Sequence, residues 1–277
     1  MTGITGLDRG GGAVDPAQRR AYIGPSSRIG IEGLMCGRYA LAVTPEDVEQ
    51  EFSMIRIEWF PPRYNIAPTQ PILVVRAGRA GREAALVRWG LVPSWAKDIQ
   101  ALPLFFNARA ETAAVKPAFR GAFRHRRCLI PASGFYEWLK EPAIGRSGKA
   151  TIVRKPYYLT PKRPLVAFAG LWDEWGDANG NLLDSATILT TSANDDVAAL
   201  HDRMPVVVEP QDYDRWLGLE GDGDVGSILR PAPAGTFTAV PVDPRVNSAR
   251  SDDARLIEPI GPAEPAAKSA ATQLKLF

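Results

Sequence analysis

Cysteine and histidine are scarce in this chain. Its 277 residues hold two of each, Cys36 and Cys128, His125 and His201. Neither cysteine lies in a Cys-x-x-Cys pair and the histidines have no ligand spacing, which argues against a structural zinc site or any other metal or cofactor centre. Two isolated thiols also leave no disulfide framework, so a reducing cytoplasm is the expected compartment. Charge of one sign is lacking as well: 33 Lys and Arg face 31 Asp and Glu, a net +2. Any affinity for a polyanion must therefore come from local clusters rather than bulk charge. The N-terminal segment lacks a continuous apolar run, which excludes a signal peptide or membrane anchor there.

What is present begins with an internal Met35-Cys36-Gly37-Arg38-Tyr39. If Met35 is the true start, Cys36 becomes the mature N-terminus and carries a thiol and a free α-amine on adjacent carbons. Such a pair traps aldehydes: the amine condenses to an imine and the thiol closes a five-membered thiazolidine. An α-amine titrates at about 7.7–8.0, so a useful fraction is unprotonated near neutrality. The 34 residues before Met35 are rich in Gly and Arg and show no apolar periodicity, as expected of a disordered or untranslated leader. Glu32-Gly33 must also be encoded by a purine-rich stretch just before the Met35 codon, which resembles a bacterial ribosome-binding site.

Past the leader, short apolar runs alternate with Pro and Gly turns at 38–43, 72–76, 84–89, 127–131, 134–139, 156–160, 165–171, 186–191, 204–208 and 236–240, and these read as strands. Short helices are expected near 45–53, where Thr44-Pro45-Glu46-Asp47 offers a cap, and near 117–125, 194–200 and 210–217. Residues 77–82 read as a hairpin loop and 141–155 as a loop insertion. Many strands with few helices, out of strict βαβ order, predict an α+β fold: one domain over 35–260 with a curved, largely antiparallel, barrel-like sheet.

Polar residues in apolar settings mark the candidate site. Asn107 follows Leu104-Phe105-Phe106 and by itself reads as a helix or turn cap. Glu137 lies in Gly134-Phe135-Tyr136-Glu137-Trp138, where strand alternation puts it on the face of Phe135. A carboxylate between aromatic rings is poised as an acid or base, although a solvated strand face is the plainer reading. His201 precedes Asp202, which can fix its tautomer. Cys128, inside an apolar strand, reads as a buried structural thiol.

The motifs Met35-Cys36-Gly37-Arg38-Tyr39, Arg63-Tyr64-Asn65-Ile66-Ala67-Pro68, Trp89-Gly90-Leu91-Val92-Pro93-Ser94-Trp95, Asn107-Ala108-Arg109-Ala110-Glu111-Thr112, Arg127-Cys128-Leu129-Ile130-Pro131, Gly134 to Trp138 and His201-Asp202-Arg203-Met204-Pro205 occur in order. With them the chain resembles the SOS-response-associated peptidase family, whose members crosslink to abasic sites in single-stranded DNA. The resemblance implies that Cys36 is the covalent nucleophile, Asn107 orients the sugar and the N-terminal residue, Glu137 shuttles protons, and His201 helps to open the sugar and resolve the linkage. The leader is the departure, since this chemistry needs the amine of Cys36 free.

Six Lys and Arg between 108 and 127, against Glu111 alone, form a basic patch that reads equally as a solvated helix face. Arg38, Arg109 and Arg203, each beside a candidate site residue, are expected to contact phosphate, and Pro68 and Trp95 to face the flanking bases. Two other functions stay open: a thiol peptidase using Cys36 and His201, which could remove its own leader, and a non-enzymatic single-strand binding module. The tail, 261–277, is rich in Pro and Ala and reads as a flexible linker. It ends in Gln273-Leu274-Lys275-Leu276-Phe277, which resembles the short motif that docks repair proteins on the bacterial sliding clamp. Together these readings point to a monomer in the cytoplasm, associated with the nucleoid and away from membranes.

Overall fold

The computed structural model describes residues 37–261, apart from 55, 56, 59, 146, 147 and 222. The expectations for the leader, for Cys36 and for the Gln273–Phe277 tail lie outside the described residues.

In chain order the elements are β1 (Tyr39–Leu41), α1 (Pro45–Phe52), β2 (Arg63–Ile66), β3 (Pro71–Gly78), β4 (Gly81–Trp89), β5 (Asn107–Arg109), α2 (Ala110–Ala113), α3 (Arg120–His125), β6 (Arg127–Ala132) and β7 (Gly134–Ile144). They continue with β8 (Ala150–Pro161), β9 (Val166–Gly176), β10 (Leu182–Ser192), β11 (Arg203–Pro205), β12 (Val207–Val208), α4 (Tyr213–Leu217) and β13 (Phe237–Pro241).

One sheet runs β13-β8-β7-β1-β2 and is antiparallel throughout. In the other, the path β10-β4-β3-β6-β9 closes on itself through a β9–β10 pairing, giving a five-strand barrel. This is the expected α+β domain with a largely antiparallel, barrel-like sheet. Two of its pairings are parallel, β4 and β5 each lying alongside β10. Strands β3, β6, β9 and β10 carry near-continuous buried runs because both faces are covered, whereas β4 leaves Leu86 64% exposed. Cys128, Leu129 and Ile130 on β6 and Val166 to Ala169 on β9 have no exposed surface. Burial pushes the Cys128 thiol well above its ordinary range, as befits a packed, inert group.

Local chemistry sets several boundaries. Thr44 and Asp47 form a reciprocal capping box that opens α1. Gly134 opens β7 at φ +153°, where a Cβ would lie 2.5 Å from the Leu159 carbonyl oxygen, so only glycine lets β7 lie this close to β8.

The structure departs from the expected elements at four places. Residues 194–200 form successive turns rather than a helix, with Asn194 holding Asp196 and the carbonyls of Ala232 and Pro233. The 77–82 loop shrinks to the two residues between Gly78 and Gly81, the strands pairing up to that point. The 141–155 segment is no loop but the outer part of a β7–β8 hairpin. Strands β2 and β5, at the RYNI and NAR segments, are too short to show a period in sequence. Among the described residues no helix is long and apolar enough to cross a membrane, and no cluster of His, Cys, Asp and Glu could hold a metal ion.

Candidate functional site

The chain enters the central sheet through Gly37 and Arg38, both buried. Tyr39 pairs with Phe135, and the Tyr136 N–H donates to the Arg38 carbonyl at 3.0 Å, so β7 runs beside the entering strand. Glu137 is the next residue along β7 and is only 2% exposed. The solvated-face reading of Glu137 is thereby overturned: its neighbour Phe135 packs in the barrel core and Tyr136 in a second core with Tyr158 and Val246.

Arg38 is held from the other side. Its Nη1 donates to Asn65 Oδ1 at 2.8 Å and to the Val246 carbonyl at 2.6 Å, and its Nη2 to the Asn247 carbonyl at 3.2 Å. Burial lowers the guanidinium pKa from its ordinary value, a cost offset by this fixed set of acceptors. Asn65, fully buried, donates in turn to the carbonyls of Val246, Ser248 and Ser251. The indole N–H of Trp138 reaches Asn247 Oδ1 at 2.7 Å. The strand that follows Cys36 in sequence is thus clamped between β7 and the 246–251 segment. Arg38, expected at phosphate, is placed as the centre of that clamp, and Asn65 is a residue whose part in the site the sequence did not show.

Asn107 opens β5 instead of capping a helix; the α2 N-cap is Arg109. The strand lies parallel to β10, pairing Asn107 with Ile188 and Arg109 with Thr190. It is tied to the entering strand by a run of rings: Tyr39 meets Trp89 edge-on at 5.3 Å, Trp89 meets Phe106 at 6.0 Å, and the Trp89 indole donates to the Phe106 carbonyl at 2.8 Å. Beside Trp89, residues 67–70 form a turn in which the Gln70 N–H donates to the Ala67 carbonyl at 3.2 Å and the Thr69 N–H to the Trp89 carbonyl at 2.7 Å. Pro68 takes the second position of that turn and Thr69, at φ +75°, the third. A β-branched residue at positive φ costs about 1–3 kcal/mol and persists only where surrounding bonds impose it.

The last motif meets Asn107-Ala108-Arg109-Ala110-Glu111 at the end of β10, where Thr190 pairs with Arg109 on one edge and with Pro205 on the other. Arg203 closes the junction as a fork, Nη1 to Glu111 Oε1 at 2.5 Å and Nη2 to Glu111 Oε2 at 2.7 Å, with a further bond to the Thr190 carbonyl. This pairing holds the Glu111 carboxyl below its ordinary pKa. Arg203 is therefore tied inward, as Arg38 is. Arg109 is exposed and makes no cap bond to α2. It lines a groove of about 520 Å³ with Asn107, Lys116, Phe105, Pro117 and Trp95, whose indole is 59% exposed. The basic patch is thinner than its sequence. Arg126 binds Asp173, and Arg127 binds the Trp216 and Phe123 carbonyls.

His201 Nδ1 lies 3.0 Å from the Arg203 N–H, from which it accepts, and 2.9 Å from Asp202 Oδ1. The amide and the carboxylate compete for Nδ1: accepting from Arg203 N–H leaves it without hydrogen, whereas a hydrogen on it would be donated to Asp202. Burial lowers the ring's pKa, the Asp202 carboxylate opposes that, and the nearby Lys140 ammonium adds to it. The folded value lies below the unfolded one, so the linked stability is present above the ordinary imidazole pKa and lost as pH falls beneath it. The expected result is that His201→Asn flattens the acid side of the stability profile between the ordinary and the lowered pKa. Melting temperature measured against pH for both proteins checks it.

A closed five-strand barrel, an entry strand pinned beside β7, a buried carboxylate on β7 and a partly buried imidazole just before β11 belong to one single-domain α+β protein. The family model described as SOS response associated peptidase (SRAP) matches residues 35–249, and the chain belongs to that family. It is 36% identical over 229 residues to the abasic site processing protein YoqW of Bacillus subtilis (strain 168), covering 81% of this chain and 99% of that one. It is 29% identical over 246 residues to the abasic site processing protein HMCES of Gallus gallus, covering 76% and 70%. A solved Bacteroides thetaiotaomicron protein superposes with a TM-score of 0.70 at 22% identity over 81% of this chain and 99% of that one, which is a likeness of fold.

Proposed function

We propose that this protein processes abasic sites in single-stranded DNA by linking to them covalently through Cys36 once that residue is N-terminal. The observation that carries the reading is the placement of Glu137, 2% exposed, beside the strand that follows Cys36 in sequence. The names of its relatives as abasic site processing proteins support the same substrate.

An abasic deoxyribose hides its aldehyde as a cyclic hemiacetal. Opening the ring moves the hydroxyl proton off O1′ while a proton is delivered to the ring oxygen, leaving a C1′ aldehyde. The Cys36 amine adds to C1′ and water leaves, giving an imine. The thiol sulfur then adds to C1′ and its proton passes to nitrogen, closing the thiazolidine. The net change is aldehyde plus aminothiol to ring plus one water. Glu137 has the burial suited to carrying these protons, His201 assists the opening, and Asn107 orients the sugar.

Arg109 and Lys116 offer cations to the backbone and the exposed face of Trp95 offers a stacking surface, while Pro68, in the turn beside Trp89, offers a second apolar contact. Arg38 and Arg203 serve by holding the strands around the proposed reacting groups. The test is incubation of the chain beginning at Cys36 with a single-stranded oligonucleotide bearing one abasic site. An adduct that survives denaturing electrophoresis is expected, and its absence overturns the reading. The family's description as a peptidase favours a second role, cleavage of the 35–36 bond by the Cys36 thiol, which needs no free amine.

The tail extends the proposal to location. Gln273, Leu274, Leu276 and Phe277 would dock on a sliding clamp, delivering the protein to replicating DNA in the cytoplasm. Deleting Gln273 to Phe277 is expected to abolish clamp binding in a pull-down and leave crosslinking of free oligonucleotides unchanged; equal clamp retention by both forms removes the assignment.

A further inference from the structure

The outer part of the β7–β8 hairpin has no place in the barrel. Strand β1 pairs with β7 only at Gly134 and Phe135, and β13 pairs with β8 only from Tyr157 onward. Between Leu139 and Lys155 the two strands pair with each other alone, in unbroken register from Leu139↔Lys155 to Ile144↔Ala150. Among the described residues nothing pairs with either edge, so a two-stranded ribbon projects about 17 Å from the sheet at ordinary strand rise. Isolated ribbons of this kind are marginal in water and expose unpaired edges, so a long one without a partner is a costly feature.

Its chemistry is polarised. In sequence, residues 139–155 carry five Lys and Arg (Lys140, Arg146, Lys149, Arg154, Lys155) against Glu141, and Glu141 is neutralised by Lys155 at 2.7 Å. Side chains of paired residues share a face, so Lys140 and Arg154 stand together at the root, followed by Pro142 with Ile152 and then Ile144. Ile144 is 74% and Ile152 63% exposed, the largest apolar exposure on the ribbon. The root adjoins the candidate site, because Lys140 lies three residues beyond Glu137 on β7; its charge also contributes to the lowering of the His201 pKa. No aromatic residue occurs from 139 to 155. That separates the ribbon from the Trp95 groove: single strands are held by aromatic stacking, whereas a duplex groove admits a two-stranded ribbon and accepts aliphatic and proline wedges between cationic contacts.

We infer that the ribbon formed by residues 139–145 and 148–155 is a docking arm for duplex DNA flanking the lesion, with Lys140, Lys149 and Arg154 meeting phosphates and its Pro142–Ile144–Ile152 tip entering a groove. The arm continues β7 and β8 beyond Glu137, while the Trp95 groove receives the single strand. The inference rests on the proposed function only in taking DNA as the substrate.

The test uses the chain beginning at Cys36 and two DNAs, a short single-stranded oligonucleotide spanning the lesion and the same lesion with a duplex flank. Adduct formation on the short oligonucleotide reports on the proposed function alone. Equilibrium binding at several salt concentrations reports on the arm. The duplex flank is expected to tighten binding. Lys149→Gln with Arg154→Gln should reduce that gain by about tenfold and lower the log–log salt slope by about 2, at roughly 0.9 for each phosphate no longer neutralised. Ile144→Ser with Ile152→Ser should reduce the gain and leave the slope unchanged. Neither variant should alter adduct yield on the short oligonucleotide. A flank that adds nothing to binding, or a gain retained in both variants, overturns the assignment. So does a ribbon whose variants keep full DNA affinity and lose self-association on a sizing column, which would make it a protein interface.

Discussion

Replacing Cys36 by Ala in the chain that begins there should abolish the stable adduct completely and yet leave a residual reaction. The α-amine survives in this variant and still forms an imine at C1′, titrating at about 7.7–8.0. An imine without a thiol to capture it acidifies the neighbouring C2′ proton, and loss of that proton expels the 3′ phosphate. The expected readout is therefore strand cleavage in place of a gel-stable band, and borohydride should trap the intermediate. Cys36→Ser should behave similarly, since an oxazolidine reopens readily. The leader-bearing chain, its mass verified, should neither crosslink nor cleave, because its nitrogen at residue 36 is an amide. A stable adduct from Cys36→Ala, or equal rates with and without the leader, refutes the aminothiol chemistry.

The second large effect is expected at Glu137. Glu137→Gln is nearly isosteric and keeps hydrogen-bonding capacity in a position only 2% exposed, so the β7 backbone should stay in register. It removes the ability to accept and return a proton. Adduct formation should slow by about 10²–10⁴-fold, the range of general acid–base catalysis, while affinity for an unreactive tetrahydrofuran analogue of the lesion stays as it was. Both rates are read from single-turnover time courses. A fall in affinity equal to the fall in rate would make Glu137 a binding or structural group, and an unchanged rate would remove it from the reaction.

Much of the fold was legible because strand signals are local. The runs at 72–76, 127–131, 165–171 and 186–191 fall on barrel strands that are largely buried on both faces, whereas the 84–89 run lies on β4, where Leu86 is 64% exposed. What was illegible depends on distance along the chain. The turns at 194–200 carry a helical apolar spacing, and only side-chain bonds from Asn194 to Ala232 and Pro233 show why the helix does not form. The ribbon at 141–155 has Pro and Gly in a polar setting, which reads as a loop until its pairing is seen. Within the site, Glu137 and His201 stood out through their neighbours. Arg38 and Arg203 stood out as charges, but a charge in sequence does not disclose whether it faces solvent or a buried carbonyl. Their partners, Val246 and Glu111, are 208 and 92 residues away. Asn65 sits in a motif that discloses no role for it, because its three carbonyl acceptors all come from the far end of the domain.

The bonds from Arg38 and Asn65 to residues 246–251 also set an order of events during synthesis. The first described strand cannot be locked beside β7 until nearly the whole domain has left the ribosome, since its acceptors are translated last. A nascent chain would therefore carry its N-terminal segment loosely through most of translation. Under the proposed Cys36 chemistry, aldehydes met during synthesis would face an amine and a thiol before the buried Glu137 is set in place beside them. The long-range clamp would then act as a timer, tying the onset of that chemistry to the end of translation.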